Sequence, residues 1–183
     1  MQSQTTKNRD IIALEAIETV LEELKGGDGS TEIEKIDEIS AGSFIIIVEG
    51  RRDVASLRNL GITAEIFPCA NQPVAEFCEK IAEMKKTAII LTDWDRKGAI
   101  LASRLEIQLK NLDVAVDTSQ REKLLFYSKR EIKDIESLYN HVLKLRKNVN
   151  GEEDLKEDFE ENLGRNFEEG FEDIFEKDSE NEI

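Results

Sequence analysis

Asp93 and Asp95 stand two residues apart after the apolar run Ala88–Leu91 and Thr92, and Arg96, Lys97 and Gly98 follow them directly. In an extended segment, side chains two apart point the same way. A second stretch has the same make-up: Glu49 and Gly50 follow the apolar run Phe44–Val48, and Arg51, Arg52 and Asp53 come next. Carboxylates that converge in one crevice repel one another, so they share a proton or a cation compensates them. Magnesium suits such a place. It takes hard oxygen ligands, keeps several waters and bridges a few carboxylates to a substrate phosphate. Arg51, Arg52, Arg96 and Lys97 are placed to hold phosphate oxygens beside the acids. Lys97 and Gly98 also open a helix, and helix N-terminal amides favour anions.

An Asp-x-Asp at a strand end is common in solvated turns, so the weight falls on the elements that would bring the two loops together. Phe44–Val48 is a continuous β-branched run of the buried-strand kind. A short helix over Arg51–Leu60 follows, stopped by Gly61 as its C-cap. "TAEIFPC" is a second strand, "PVAEFCEKIAEMKK" a helix opened by proline, and "AIILT" a third strand. "KGAILASRLEIQLKNL" is a longer helix with Ile100, Leu101, Leu105, Leu109 and Leu112 expected on its inner side. "DVAVDT" is a fourth, weaker strand, and "QREKLLFYS" and "IKDIESLYNHVLKLRK" read as helical. Strands alternating with helices from residue 44 to about 118 predict an α/β fold, with a mostly parallel sheet of about four strands covered by helices on both faces. Ligands bind such sheets beyond the carboxyl ends of the strands, where the strand order reverses. If the first and third strands are neighbours there, Glu49 meets Asp93 and Asp95.

Two further segments flank this body. Residues 1–42 read as an N-terminal helical extension. Ile11, Leu14, Ile17, Leu21 and Leu24 give a helix over 9–25, and "TEIEKIDEIS" a second helix with Thr31 and Glu34 at capping-box spacing. The body then runs over 43–148, and 149–183 is an acidic tail. Residues 151–183 hold 15 acidic and 3 basic residues, so they carry −12 of the chain's −15 and leave the body near neutral. Phe159, Phe167, Phe171, Ile174 and Phe175 punctuate this tail. It reads as disordered or loosely helical, or as a docking segment for a protein partner.

Several chemistries are excluded. Cys69 and Cys78 lack zinc spacing, and with His141 as the one histidine a histidine-based metal site or Ser–His triad is not expected. No Gly-x-Gly-x-x-Gly follows the first strand, and no phosphate-binding Gly-x-x-x-x-Gly-Lys-Ser/Thr is present. An aspartyl phosphatase places its Asp-x-Asp after the first strand, where this chain has Glu49-Gly50. The chain shows no signal-peptide core and no apolar run of membrane-span length, so a soluble, cytoplasmic protein with no membrane partner is expected.

Glu49-Gly50-x-x-Asp53 after one strand and Asp93-x-Asp95-x-x-Gly98 after a later one together resemble the Toprim domain of primases, topoisomerases, small nucleases and recombination mediators. The region around Arg121–Leu124 and the small size resemble the stand-alone Toprim proteins of archaea. The resemblance covers about residues 43–118. It implies a Rossmann-like Toprim fold, Glu49 as general acid or base and a magnesium ligand, Asp93 and Asp95 as magnesium ligands with manganese as a substitute, and Asp53 as an accessory acid. Gly50 and Gly98 would allow close backbone approach. No zinc-binding domain or second primase domain accompanies the motif. Tyr127 and Tyr139 fall in helical patterns, so topoisomerase and autonomous primase activities are not expected. Trp94 either stacks a base or seals its loop.

Two readings follow. One is a metal-dependent nuclease or related phosphoryl-transfer enzyme acting on RNA or DNA, with a metal stabilising phosphate charge and Glu49 moving the proton. The other is a non-catalytic module that binds nucleic acid or a ribonucleoprotein. The complete set of acids favours the first; the small size and net charge favour the second.

Overall fold

The computed structural model describes residues 2–25 and 44–151. The helix expected over 31–40 and the acidic tail from residue 152 lie outside them.

The elements follow the alternation expected from residue 44 onward. Helix α1 (Gln2–Lys25) precedes β1 (Phe44–Val48), α2 (Arg51–Asn59), β2 (Glu65–Pro68), α3 (Val74–Glu83), β3 (Thr87–Ile90), α4 (Arg96–Asn111), β4 (Val116–Asp117), α5 (Ser119–Ser128) and α6 (Leu138–Asn150). The four strands form one sheet in the order β2-β1-β3-β4, and every pairing is parallel. Ile46 pairs with Ile89 and Ile47 with Ile90, which brings the carboxyl ends of β1 and β3 side by side. The chain turns outward in opposite directions from these two strands, so the crevice between them is the switch point of the sheet.

Strand periodicity divides the apolar residues between two cores. Ile45, Ile47, Ala88 and Ile90 face α3 and α4 and meet Phe77, Cys78, Ile81, Leu105 and Leu109. Ile46, Val48, Ile89 and Leu91 face the opposite layer, built from α1, α2, α5 and α6. Leu14, Ile17, Val20, Leu21 and Leu24 of α1 belong to that core, so the first helix is part of the layer that supports the sheet.

Gly61 ends α2 as expected, with φ of 81° and its N–H bonded to Arg58 O. On α4 the buried face is Gly98, Ala102, Leu105 and Leu109, while Ile100 and Leu112 are exposed. The phase of this helix is set by Gly98, which packs against the β3 loop. The helix expected from Ile132 starts only at Leu138. Residues 132–137 form a loop because their polar groups are engaged elsewhere. Ile135 N–H donates to Asp93 Oδ1 (3.1 Å), and Asp134 Oδ1 accepts from Ser137 N–H (2.8 Å).

Candidate metal and phosphate site

Leu91 N–H donates to Ile47 O at 2.8 Å, extending the pairing of β1 and β3 past the last strand residues. Glu49 and Asp93 therefore leave the sheet next to each other. Asp93 N–H donates to Glu49 Oε1 at 3.1 Å. The Asp93 carboxylate is held in turn through Oδ1 by Ile135 N–H. Asp95 is the N-cap of α4, and its Oδ1 accepts from Gly98 N–H at 2.7 Å. Asp53, at the third position of α2, reaches back to Gly50 N–H through Oδ2 at 2.8 Å. In each of Glu49, Asp93 and Asp95 one carboxylate oxygen accepts from a backbone amide, and these bonds do not involve the second oxygen.

Gly98 explains how the two loops come so close. A Cβ at this position would lie 2.2 Å from Asp93 O and 2.9 Å from Glu49 Oε1. Only a hydrogen fits there. Thr92 Oγ1 adds a bond to Gly98 O at 2.9 Å, closing the turn between β3 and α4. Gly50 is different, since a Cβ there would meet nothing nearer than Asp53 Oδ2 at 3.8 Å.

The electrostatics are strained in the way three or more neighbouring acids should be. Burial first, then the charges of Glu49, Asp53 and Asp134, push Asp93 up to about 6 against the hydrogen bond from Ile135. Glu49 is also raised, by burial and then by Asp53 and Asp95, with the Asp93 amide pulling the other way. Asp53 is raised by burial and by Glu136 and Asp134, although the Gly50 and Glu136 amides hold its charge. Cys69, close enough to feel Glu49, is pushed up to about 11 chiefly by burial, so it stays a neutral thiol and supplies no nucleophile.

Among the described residues no three acidic, histidine or cysteine side chains close around one point as a finished metal cage. The residues present fit a different kind of site. The raised carboxyls of Glu49 and Asp93, next to the helix-capping Asp95, suit a hydrated magnesium ion that takes one or two protein ligands and completes its shell with water and phosphate.

The cations expected to meet phosphate lie on the first turns of the two helices flanking this crevice. Arg51 and Arg52 open α2, Arg96 and Lys97 open α4, and all are exposed. Arg52 reaches Glu136 at 3.5 Å across an open surface. Beside it an open depression of about 340 Å³ lies between α2 and α6, lined by Arg52, Ser56, Asn59, Glu136, Tyr139 and Asn140. Trp94 is partly buried against the core of the α1 layer, and its backbone N–H donates to Lys133 O at 2.9 Å. Tyr139 packs partly into the same core, and Tyr127 stands edge-on to Phe126 on the outer side of α5.

Two contributors carry no signal in the motifs. One is the loop 132–137, whose backbone holds Asp93 and Asp53. The other is the buried Arg121, which donates from Nε to Thr92 O (2.9 Å) and from Nη2 to Asp93 O (2.6 Å). Sequence reading marks its region only by resemblance and gives it no role, because backbone carbonyl acceptors leave no trace in residue types.

Residues 44–119 match the Toprim domain. A UPF0292 protein of Methanosarcina barkeri is 44% identical over 114 residues, spanning 62% of this chain and 80% of that one. A UPF0292 protein of Pyrococcus abyssi is 44% identical over 110 residues, spanning 60% of this chain and 83% of its own. Among solved structures, a protein of Aquifex aeolicus aligns with a TM-score of 0.50 at 22% identity, covering 66% of this chain and 95% of that one, a likeness of fold.

Proposed function

This chain belongs to the UPF0292 family of small archaeal Toprim-domain proteins, and from that premise we propose that it is a magnesium-dependent enzyme of phosphodiester hydrolysis or phosphoryl transfer on nucleic acid. The Toprim domain is a metal-binding domain of nucleic-acid metabolism, which fixes the broad class. The finer reading rests on one observation: Glu49 and Asp93 are joined at the switch point by the 3.1 Å bond from Asp93 N–H, with Asp95 at the start of the next helix.

Asp93 and Asp95 would hold the metal, with Glu49 beside them. When bound, magnesium would neutralise charge on the phosphate oxygens and orient the attacking or leaving oxygen. Glu49 is the group that moves the proton. Its carboxyl is raised towards the working range by burial, as a general acid or base requires. Asp53 acts as an accessory acid that fixes Gly50 and adds negative field.

The cations support a phosphate substrate. Basic residues in the first turn of a helix oppose its macrodipole. Both α2 and α4 carry a pair there, and a bound anion reconciles them with the helix ends. The depression between α2 and α6 gives a polymer a path past Arg52 away from the acids. Among the described residues no helix is long and apolar enough to cross a membrane.

The test is incubation of the protein with pooled labelled RNA and DNA in magnesium, manganese or EDTA, beside Asp93→Asn. The reading requires metal-dependent cleavage or transfer that EDTA and Asp93→Asn abolish. Binding without turnover in either metal favours the second reading, a nucleic-acid or ribonucleoprotein binding module.

A further inference from the structure

We propose that Arg121, which lies beyond the matched Toprim segment, is the positioning residue of the Glu49–Asp93 pair. A single peptide unit joins the arginine to the pair. Its carbonyl is Thr92 O and its amide is Asp93 N–H. Arg121 Nε donates to the carbonyl end at 2.9 Å, and the amide end donates to Glu49 Oε1 at 3.1 Å. A guanidinium on the carbonyl polarises the peptide and strengthens the bond its N–H makes on the far side. The cation therefore acts on Glu49 through the backbone, with no hydrogen bond between the two side chains.

The second donor does the same for the next peptide unit. Arg121 Nη2 donates to Asp93 O at 2.6 Å, and Trp94 N–H at the other end of that unit donates to Lys133 O at 2.9 Å. Both peptides flanking Asp93 are thus held at both ends, and its side chain is held a third way by Ile135 N–H. A planar fork is needed to span two successive carbonyls, which lysine cannot do.

Arg121 is itself well anchored. It is buried, and the residues around it tie α5 to α1. Gln120 Nε2 and Lys123 Nζ both donate to Glu23 Oε2, at 2.6 and 3.1 Å, and Leu124 sits in the core. Its partners are backbone oxygens, and the charges of Glu49 and Asp93 balance it through space. Buried cations are normally paired directly with an acid. Here a direct pair would take a carboxylate out of the site; contact through the backbone leaves both acids available. Helix α1 and the part of α5 beyond Ser119, outside the Toprim segment, would then complete the site.

The inference rests on the proposed reading of Glu49 and Asp93 as working groups, and its test separates the two. In proton–nitrogen NMR spectra, Arg121→Lys should move the Asp93 amide resonance upfield and speed its exchange with solvent, while the Ile47 amide in β1 stays in place. Reciprocally, Glu49→Gln should shift the Arg121 Nε–H signal, although the two side chains share no hydrogen bond; this variant keeps the buried arginine and serves if Arg121→Lys does not fold. In the activity assay Arg121→Lys should lower turnover about 10-fold with KM changed less than about 3-fold. An Asp93 amide unmoved by Arg121→Lys, or an Arg121 Nε–H signal unmoved by Glu49→Gln, overturns the proposal. Shifts as expected in a protein that turns over no nucleic acid support the positioning role and overturn the enzymatic reading alone.

Discussion

Asp93 N–H donates to Glu49 Oε1, 44 residues earlier in the chain, across the ends of two parallel strands. One bond thus links the residue after β1 to the residue that begins the acidic loop after β3. It holds one oxygen of the Glu49 carboxylate against the backbone. It also makes the position of Glu49 depend on that of Asp93.

Glu49→Gln tests the proton-transfer role. Glutamine keeps the size and an oxygen that can accept from Asp93 N–H, but it exchanges no proton. Turnover should fall on the order of 100-fold or more while nucleic-acid affinity survives. Single-turnover kinetics beside a binding titration measure both; near-normal turnover would leave Glu49 a role in tuning the metal only.

The acids give stability a definite pH dependence. Asp93 rises from 3.8 to about 6 on folding, so between those values the folded state holds more proton than the unfolded chain. Metal-free protein should therefore lose stability as pH rises from about 4 to about 6, and the raised Glu49 and Asp53 act in the same sense. His141, lowered by burial, works the opposite way as its neutral form is favoured in the fold. Urea denaturation of wild type and Asp93→Asn across pH 4–7 isolates the Asp93 part, because His141 is common to both. Stability curves that stay parallel would remove the strain ascribed to this carboxylate.

Gly98→Ala places a methyl 2.2 Å from Asp93 O, which is backbone and cannot swing aside. A cost of about 1–3 kcal/mol or a displaced Asp93 loop is expected, with loss of metal-dependent activity. Gly50→Ala, with 3.8 Å of room, should change stability by no more than about 0.5 kcal/mol. Thermal melts of the two variants give the contrast; equal melts would mean the α4 turn shifts freely.

The first-turn cations are exposed, and the Arg52–Glu136 pair at 3.5 Å has side chains 82% and 51% exposed, so it adds little to stability. Replacing Arg52 or Lys97 with alanine should leave melting unchanged, weaken nucleic-acid binding, and lower the salt dependence of binding by about 1 in log–log slope. Fluorescence anisotropy at several salt concentrations reads that slope. An unchanged slope would take the residue out of phosphate contact.

The sheet was legible because buried parallel strands are short β-branched runs, and Phe44–Val48 and Ala88–Ile90 stand out against a charged chain. The acids were legible because each directly follows such a run. Helix phase was less so. Apolar identity puts Ile100 and Leu112 inward, whereas the contact of Gly98 with the β3 loop turns the Ala102–Leu105–Leu109 face to the sheet. The support for Asp93 was hidden altogether. Ile132–Ser137 has helical apolar spacing, yet the fold draws the Ile135 amide to a carboxylate, and Arg121 speaks only to backbone oxygens.

The central claim is that the β1 and β3 loops hold a divalent metal with few protein ligands. Paramagnetic manganese titration tests it most directly, on wild type, Asp93→Asn and Asp95→Asn, with and without a short oligonucleotide. Asparagine caps a helix as well as aspartate, so Asp95→Asn removes the charge and keeps the bond to Gly98 N–H. The predicted result is weak binding by wild type, tightened by the oligonucleotide and weakened by each substitution. Manganese binding of equal strength in all three proteins would contradict it.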